Sequence, residues 1–376
     1  MKLVGLLSLA CTLLLSSCAP AGDLSGATIA PPSPTNSSPA PSATGDSLQP
    51  ISLRVGRGVE GGWFQLFFTD PANPVADQLD GGPDGPLVDA IDASRLAVDA
   101  ALYSLSLHSV RQALIRAHRR GVVVRVVMES DNMDDSSPQA LKDAGIPIVG
   151  DRGQGLMHNK FMVLDASEVW TGSMNMTGSG TYSDRNNLIR IRSPKLAADY
   201  EVEFDEMFVD GRFGSVRGTP TPFPHLTLDG TRLDVYFSPD DHIQTKLLDL
   251  LASATSSIDF LAYSFTADPL GEAIRRQAKA GVAVHGVMDS GQMSTNTGSE
   301  YDLFRSDGLD VRLDGEDGLM HHKVMILDGE IVVLGSYNFT ASAEKYNDEN
   351  VIVIHNRQIA SQYLQEFHRI YDLATP

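Results

Sequence analysis

One pattern in this 376-residue chain occurs twice, and it limits the fold more than any other feature. From Met157 the chain reads MHNKFMVLDASEVWTGSMNMT, and from Met320 it reads MHHKVMILDGEIVVLGSYNFT. Each copy carries His, one residue, Lys, four residues, Asp, and then Gly-Ser-x-Asn. The first set is His158, Lys160, Asp165, Gly172, Ser173 and Asn175. The second is His321, Lys323, Asp328, Gly335, Ser336 and Asn338. A chain duplicated in this way can close into a pseudo-two-fold pair whose matching motifs meet at the seam.

The chemistry of one copy follows from its residue types. Alternate residues of a strand share a face, so His158 and Lys160 point one way and Phe161 and Val163 the other. His321 and Lys323 repeat this, with Val324 and Ile326 behind them. A neutral imidazole is a base or nucleophile, and a protonated one is an acid. An ammonium beside it is a point charge suited to phosphate. The Ser and Asn after a tight Gly add hydrogen-bond donors. Two copies face to face supply two histidines, one on each side of a phosphorus, as in-line displacement on a phosphodiester requires. A lone histidine before an apolar run reads as a core residue, but the doubled spacing argues against that. Metal ligation is disfavoured by a Lys between the ligands and by the lack of HExxH or CxxC. No cofactor is expected.

The two copies resemble the paired HKD motifs of the phospholipase D superfamily, over most of residues 51–376. That superfamily includes phospholipases, cardiolipin hydrolases and synthases, endonucleases and tyrosyl-DNA phosphodiesterases. The resemblance implies an α/β fold of two similar α/β/α halves, related by a pseudo-two-fold axis, with the active site at their interface. It implies a metal-independent, two-step reaction through a phosphohistidine. By analogy His158 is the nucleophile and His321 the general acid. Lys160, Lys323, Asn175 and Asn338 then hold the nonbridging oxygens. Asp165 and Asp328 are expected in ion pairs behind the site, and Ser173 and Ser336 as structural parts of the motif. In similar compact enzymes a carboxylate at the place of Glu349 hydrogen-bonds the catalytic imidazole, here expected to be His321. The matching position of the first copy is Asn186, so the halves are not equivalent.

Residues 1–18 read as a signal peptide, with Lys2 before an apolar run from Leu3 to Leu15. Leu15-Ser16-Ser17-Cys18 resembles a bacterial lipobox, which implies a lipid on Cys18. Ordinary secretion is the alternative, because Ala19-Pro20-Ala21 also fits a cleavage site. Both cysteines, Cys11 and Cys18, lie here, so no internal disulfide framework follows. Residues 19–50, rich in Pro and Ser, read as a disordered tether. It would hold the catalytic body roughly 30 Å from its anchor.

Residues 51–217 and 231–376 read as the two halves, with 218–230 as a linker and Gly218–Pro224 as a hinge. Strands alternate with helices in each, which predicts mostly parallel sheets. ALYSL at Ala101 and LAYSF at Leu261 repeat with an offset of 160, against 163 for the histidines. Tyr103 and Tyr263, at equivalent strand ends in these stretches, could line a pocket but read first as core packing, His285 and His322 as incidental, and Asp314–Asp317 as a solvated loop. The formal charge of −19 lowers the expectation of nucleic-acid binding. The expected substrate is a phospholipid, with the membrane reached through the lipid anchor and no obligate protein partner evident. An extracytoplasmic nuclease, suggested by SAEKYNDENVIVI, and a noncatalytic phosphate-binding protein are the rivals.

Overall fold

The computed structural model describes residues 48–151, 155–216, 218–315 and 318–375. The signal peptide, Cys18 and nearly all of the tether lie outside the described residues. Two mixed sheets dominate. The first contains β1 (Gln49–Ile51), β2 (Arg57–Glu60), β3 (Phe64–Phe68), β4 (Ala97–Leu102), β5 (Val123–Met128), β6 (Ile148–Gly150), β7 (Lys160–Leu164), β8 (Glu168–Gly172) and β9 (Asn187–Arg192). Their spatial order is β1-β2-β3-β9-β8-β7-β4-β5-β6. The second contains β10 (His225–Leu228), β11 (Thr231–Ser238), β12 (Ser257–Ala262), β13 (Ala283–Met288), β14 (Asp310–Leu313), β15 (Lys323–Leu327), β16 (Ile331–Gly335) and β17 (Glu349–His355). Its order is β10-β11-β17-β16-β15-β12-β13-β14.

The expectation of mostly parallel sheets is corrected. Among the described strands only β4-β5-β6 and β12-β13-β14 run parallel. The motif strands β7 and β15 lie antiparallel to β4 and β12, and each continues through a hairpin into β8 or β16 and then, past a short helix, into antiparallel β9 or β17. Hydrophobic runs report burial but not strand direction. The turns do report it: Asp165 and Ala166, like Asp328 and Gly329, have positive φ, as tight hairpin turns require. Two other boundaries shift. β1 begins inside the stretch read as tether, and β10 lies inside the stretch read as linker. The Gly218–Pro224 segment is clamped, with Gly218, Thr219 and Phe223 N–H groups donating to Asp240, Glu206 and Asp199.

Each motif strand is buried on both faces. Phe161 and Val163, with Val324 and Ile326, enter one apolar core between the sheets, shared by both halves. The long helices Pro194–Phe208 and Arg357–Tyr371 fill this layer through Leu196, Tyr200, Phe204, Ile359, Tyr363 and Phe367. Met162 and Leu164 face an outer core under helices Asp84–Ala93, His108–Arg119 and Ser136–Asp143. Met325 and Leu327 face its counterpart under Ile243–Ser253 and Asp268–Lys279. Covered faces explain why these strands carry no polar alternation.

Candidate active site

The two motifs meet by exchanging backbone. Met157 forms a parallel bridge with Asp348, and Met320 forms one with Arg185. His158 N–H donates to Asp348 O, and His321 N–H donates to Arg185 O, both at 3.0 Å. Each histidine therefore sits just before its motif strand, not within it, and is tied to the opposite half. Both are nearly buried, His158 at 7% exposure and His321 at 5%.

The imidazole partners are also exchanged, which corrects the expected position of Glu349. Glu349 accepts from His158 Nδ1 at 2.8 Å, across the seam, and not from His321. His321 Nδ1 donates to Asn186 Oδ1 at 2.9 Å. The carboxylate 28 positions after a histidine thus serves the histidine of the other copy. Sequence offset within one copy cannot reveal an exchange between copies. In both imidazoles Nε2 is left as the reactive nitrogen.

The Gly-Ser-x-Asn segments hold these partners. The Ser173 hydroxyl donates to Asn186 Oδ1 and accepts from Asn187 N–H. The Ser336 hydroxyl accepts from Asn350 N–H and supports Glu349. Gly172 and Gly335 have φ of +149° and +146°, and a Cβ there would lie 2.4 Å from Asn187 O and 2.1 Å from Asn350 O. Only glycine permits that approach. The Asn175 and Asn338 amide oxygens are buried without a hydrogen-bond partner among the described residues.

Lys160 and Lys323 are 1% and 2% exposed, and each ammonium donates to the carbonyl of its own motif histidine, at 2.8 and 2.9 Å. Burial lowers Lys160 to about 7, against the pull of Glu349. Burial and the neighbouring Lys160 push Lys323 well below its ordinary value. Burial also lowers His158 to about 4, opposed by Glu349, and His321 falls well below the usual range, driven further down by Lys323 and Lys160. Burial would raise Glu349, but His158 and Lys160 outweigh it and hold the carboxyl below its usual value. The empty site therefore pairs a neutral His158 with an ionised Glu349. An anion drawn between the lysines raises the proton affinity of both imidazoles.

Several readings change. Among the described residues Asp165 and Asp328 make no ion pair: Asp165 accepts backbone N–H bonds from Arg95, Leu96 and Ala97, and Asp328 from Thr255, Ser256 and Ser257. Tyr103 and Tyr263 are not core residues but pack edge-on against His158 and His321, with ring centroids 4.9 and 4.6 Å apart. His322 is not incidental, since Asn187 Nδ2 donates to its Nδ1 across the seam and Glu366 accepts from its Nε2. Asp314 is buried and accepts from Ser290 N–H, while Glu316 and Asp317 lie outside the described residues. Asn187 and Asn350, 163 positions apart, were missed. Asn350 accepts from Thr171 and Tyr200 and donates to Asn159 of the opposite half. Their shared offset was the available signal.

Comparison with known proteins gives the same picture. The family model described as "Cardiolipin synthase, PLD-like domain" matches residues 87–208 and 247–371. The mitochondrial cardiolipin hydrolase of Homo sapiens is 36% identical over 132 residues, which are 35% of this chain and 52% of that protein. A phospholipase D of Rickettsia prowazekii is 31% identical over 140 residues, 37% of this chain and 68% of that one. The chain spans about half the length of the human relative it matches. The crystal structure of phosphatidylserine synthase from Haemophilus influenzae shares the fold, with a TM-score of 0.62 at 14% identity over 80% of this chain and 85% of that one.

Proposed function

This chain belongs to the phospholipase D superfamily, with PLD-like domains of the cardiolipin synthase type, and from that premise we propose that it is a phosphodiesterase cleaving phospholipid headgroup esters. The observation that carries the reading is the pair of Nδ1-tethered histidines, one from each half, beside two buried lysines. His158 Nε2 attacks phosphorus, and the bond to the headgroup oxygen breaks. His321 Nε2–H protonates that oxygen, and the alcohol leaves. Water then attacks the phosphohistidine, giving its proton to His321. The P–N bond breaks, releasing phosphatidate and restoring both imidazoles. Glu349 stabilises the positive charge on His158 while the covalent bond exists. Lys160 and Lys323, with Asn175 and Asn338, hold the nonbridging oxygens, where charge gathers in the transition state.

A lipid substrate is favoured over nucleic acid by the carboxylates around the histidines. Glu129 and Asp289 accept from Met157 and Met320 N–H, and Asp184 accepts from Leu319 N–H. Carboxylates this close to the motif, together with the net charge of −19, disfavour a polyanion. We further propose that a lipid on Cys18 keeps the enzyme beside its substrate; its motif, Leu15-Ser16-Ser17-Cys18, supports this. Fatty-acid labelling that survives in Cys18→Ala would refute the anchor.

Purified protein assayed in EDTA on phosphatidylcholine vesicles, cardiolipin vesicles and single-stranded DNA tests the main reading. Release of phosphatidate or its cardiolipin counterpart, with DNA intact, is expected. DNA cleavage without lipid turnover would make it a nuclease. Phosphate-analogue binding with no turnover of any substrate would make it a noncatalytic binder.

A further inference from the structure

The four fully buried tyrosines of the core hand their hydroxyls to the protein. Tyr182 donates to Asp84 at 2.6 Å, Tyr200 to Asn350 at 3.0 Å, Tyr337 to Glu344 at 3.0 Å and Tyr363 to Asn187 at 3.3 Å. Tyr103 and Tyr263 differ. Each is half-buried, and neither hydroxyl has a partner among the described residues. Both follow directly on the end of a central strand, β4 or β12. Tyr103 N–H donates to Asn159 O at 3.0 Å and Tyr263 N–H to His322 O at 2.8 Å, which fixes each against a motif. The rings lie edge-on to the histidines, while Lys160 Nζ and Lys323 Nζ stand 4.8 and 4.7 Å from the ring centroids. A ring held by backbone, imidazole and ammonium is left open at its hydroxyl end.

Burial raises Tyr263 to about 12, helped by Asp289, Asp184 and Tyr103. Burial, Glu129 and Asp131 raise Tyr103. Both stay protonated at neutral pH, so each is a neutral donor beside the paired histidines and lysines.

We infer that Tyr103 and Tyr263 contact the substrate, one for each arm of the diester. The inference rests on the order of attack proposed above. Tyr263, beside the acid His321, donates to the departing ester oxygen. Tyr103, beside the nucleophile His158, donates to the retained arm. Charge grows during the reaction on the departing oxygen alone. The Tyr263 bond therefore strengthens in the transition state, whereas the Tyr103 bond contributes alike to bound substrate and transition state.

The test replaces each by Phe, which keeps the ring, its packing on histidine and its contact with lysine. Steady-state kinetics are measured on phosphatidylcholine and on phosphatidyl-4-nitrophenol, which share the retained arm, with Tm as the control for folding. Tyr263→Phe should lower kcat about tenfold on phosphatidylcholine, the equivalent of one hydrogen bond, and less than about twofold on the nitrophenyl ester, whose leaving group needs little help. Tyr103→Phe should raise KM several-fold on both, with kcat unchanged. A merely structural tyrosine would not distinguish leaving groups. With an active wild type, losses below about twofold for both variants, or equal losses by Tyr263→Phe on both esters, overturn the inference and leave the proposed function standing. Leaving-group dependence in Tyr103→Phe instead overturns the assignment together with the order of attack. A wild type inert on both esters overturns the proposed function and the inference together.

Discussion

Glu349 stands behind His158, and Asn186 stands behind His321. That single difference makes two otherwise matching imidazoles chemically distinct. A carboxylate on Nδ1 holds the proton there, presents the Nε2 lone pair and stabilises the cation formed on attack. An amide oxygen orients its imidazole without that stabilisation, which leaves His321 the readier proton donor. Glu349→Gln keeps the hydrogen-bond geometry and removes the charge. It should lower kcat by on the order of 10²–10⁴, as loss of an orienting carboxylate does elsewhere, while Tm changes little. Unchanged kcat would mean that Glu349 is structural. The residue types at this site were legible before the fold was known, because His158, Lys160, His321 and Lys323 come at fixed spacing. The pairing was not, because spacing within one copy is blind to exchange between two. Tyr103 and Tyr263 were ambiguous for another reason: an aromatic at the end of an apolar strand has the same signature in a core and in a pocket.

The motif strand and its hairpin turn form the element that brings these residues to the seam. Asp328 opens the turn with φ of +54°, and its carboxylate accepts from the N–H groups of Thr255, Ser256 and Ser257 and from the Thr255 and Ser256 hydroxyls. These residues lead into β12, so the acid locks the motif hairpin to the start of the strand that Tyr263 follows. Burial would raise this carboxyl, but the donors outweigh it and hold it below the usual range. A depressed folded pKa contributes stability above the unfolded value and loses it as pH falls through the folded one. Asp328→Ala strips the donors of their acceptor and should destabilise by roughly 1–3 kcal/mol in chemical unfolding at pH 7, a difference that narrows toward acid pH. Asp328→Asn, which tolerates the left-handed turn, should cost less. Equal stability of all three proteins would remove the turn from the account. Element positions were largely legible, since Val123–Met128 and Ala283–Met288 each follow a helix closed by a positive-φ glycine, Gly121 or Gly281. Sheet direction was not, because strands buried on both faces read alike whichever way they run.

At the scale of the molecule, the seam between halves has one charged and one acidic side. His322, Glu366 and Arg369 form a paired cluster behind the second motif. Their counterparts 163 positions earlier are Asn159, Glu203 and Glu206, so an acid stands where the second half has Arg369, and Arg212 reaches Glu206 only at 4.0 Å. Burial raises Glu203 well above its ordinary value, with Asp348 and Glu206 adding to the effect. A raised folded pKa gives stability that is full below the unfolded value, near 4.5, and is lost as pH rises through the folded one. Glu203→Gln cannot ionise and still offers an oxygen to Asn159. It should melt above the wild type at pH 8 and together with it near pH 4, with about 2–4 °C for each kcal/mol. Superimposable Tm curves against pH would contradict this. The duplication was legible from the doubled motif, but this asymmetry lay in a few substitutions between matching positions. The central claim is that the halves build one site in which His158 attacks and His321 protonates. It is tested most directly by a denaturing quench held at alkaline pH, where a phosphohistidine survives, and peptide mapping of His321→Ala after mixing with phosphatidyl-4-nitrophenol. The account predicts a burst of nitrophenol and a phosphatidyl adduct on His158. An adduct on Lys160, or no adduct in an enzyme whose His158→Ala variant still turns over the ester, would contradict it.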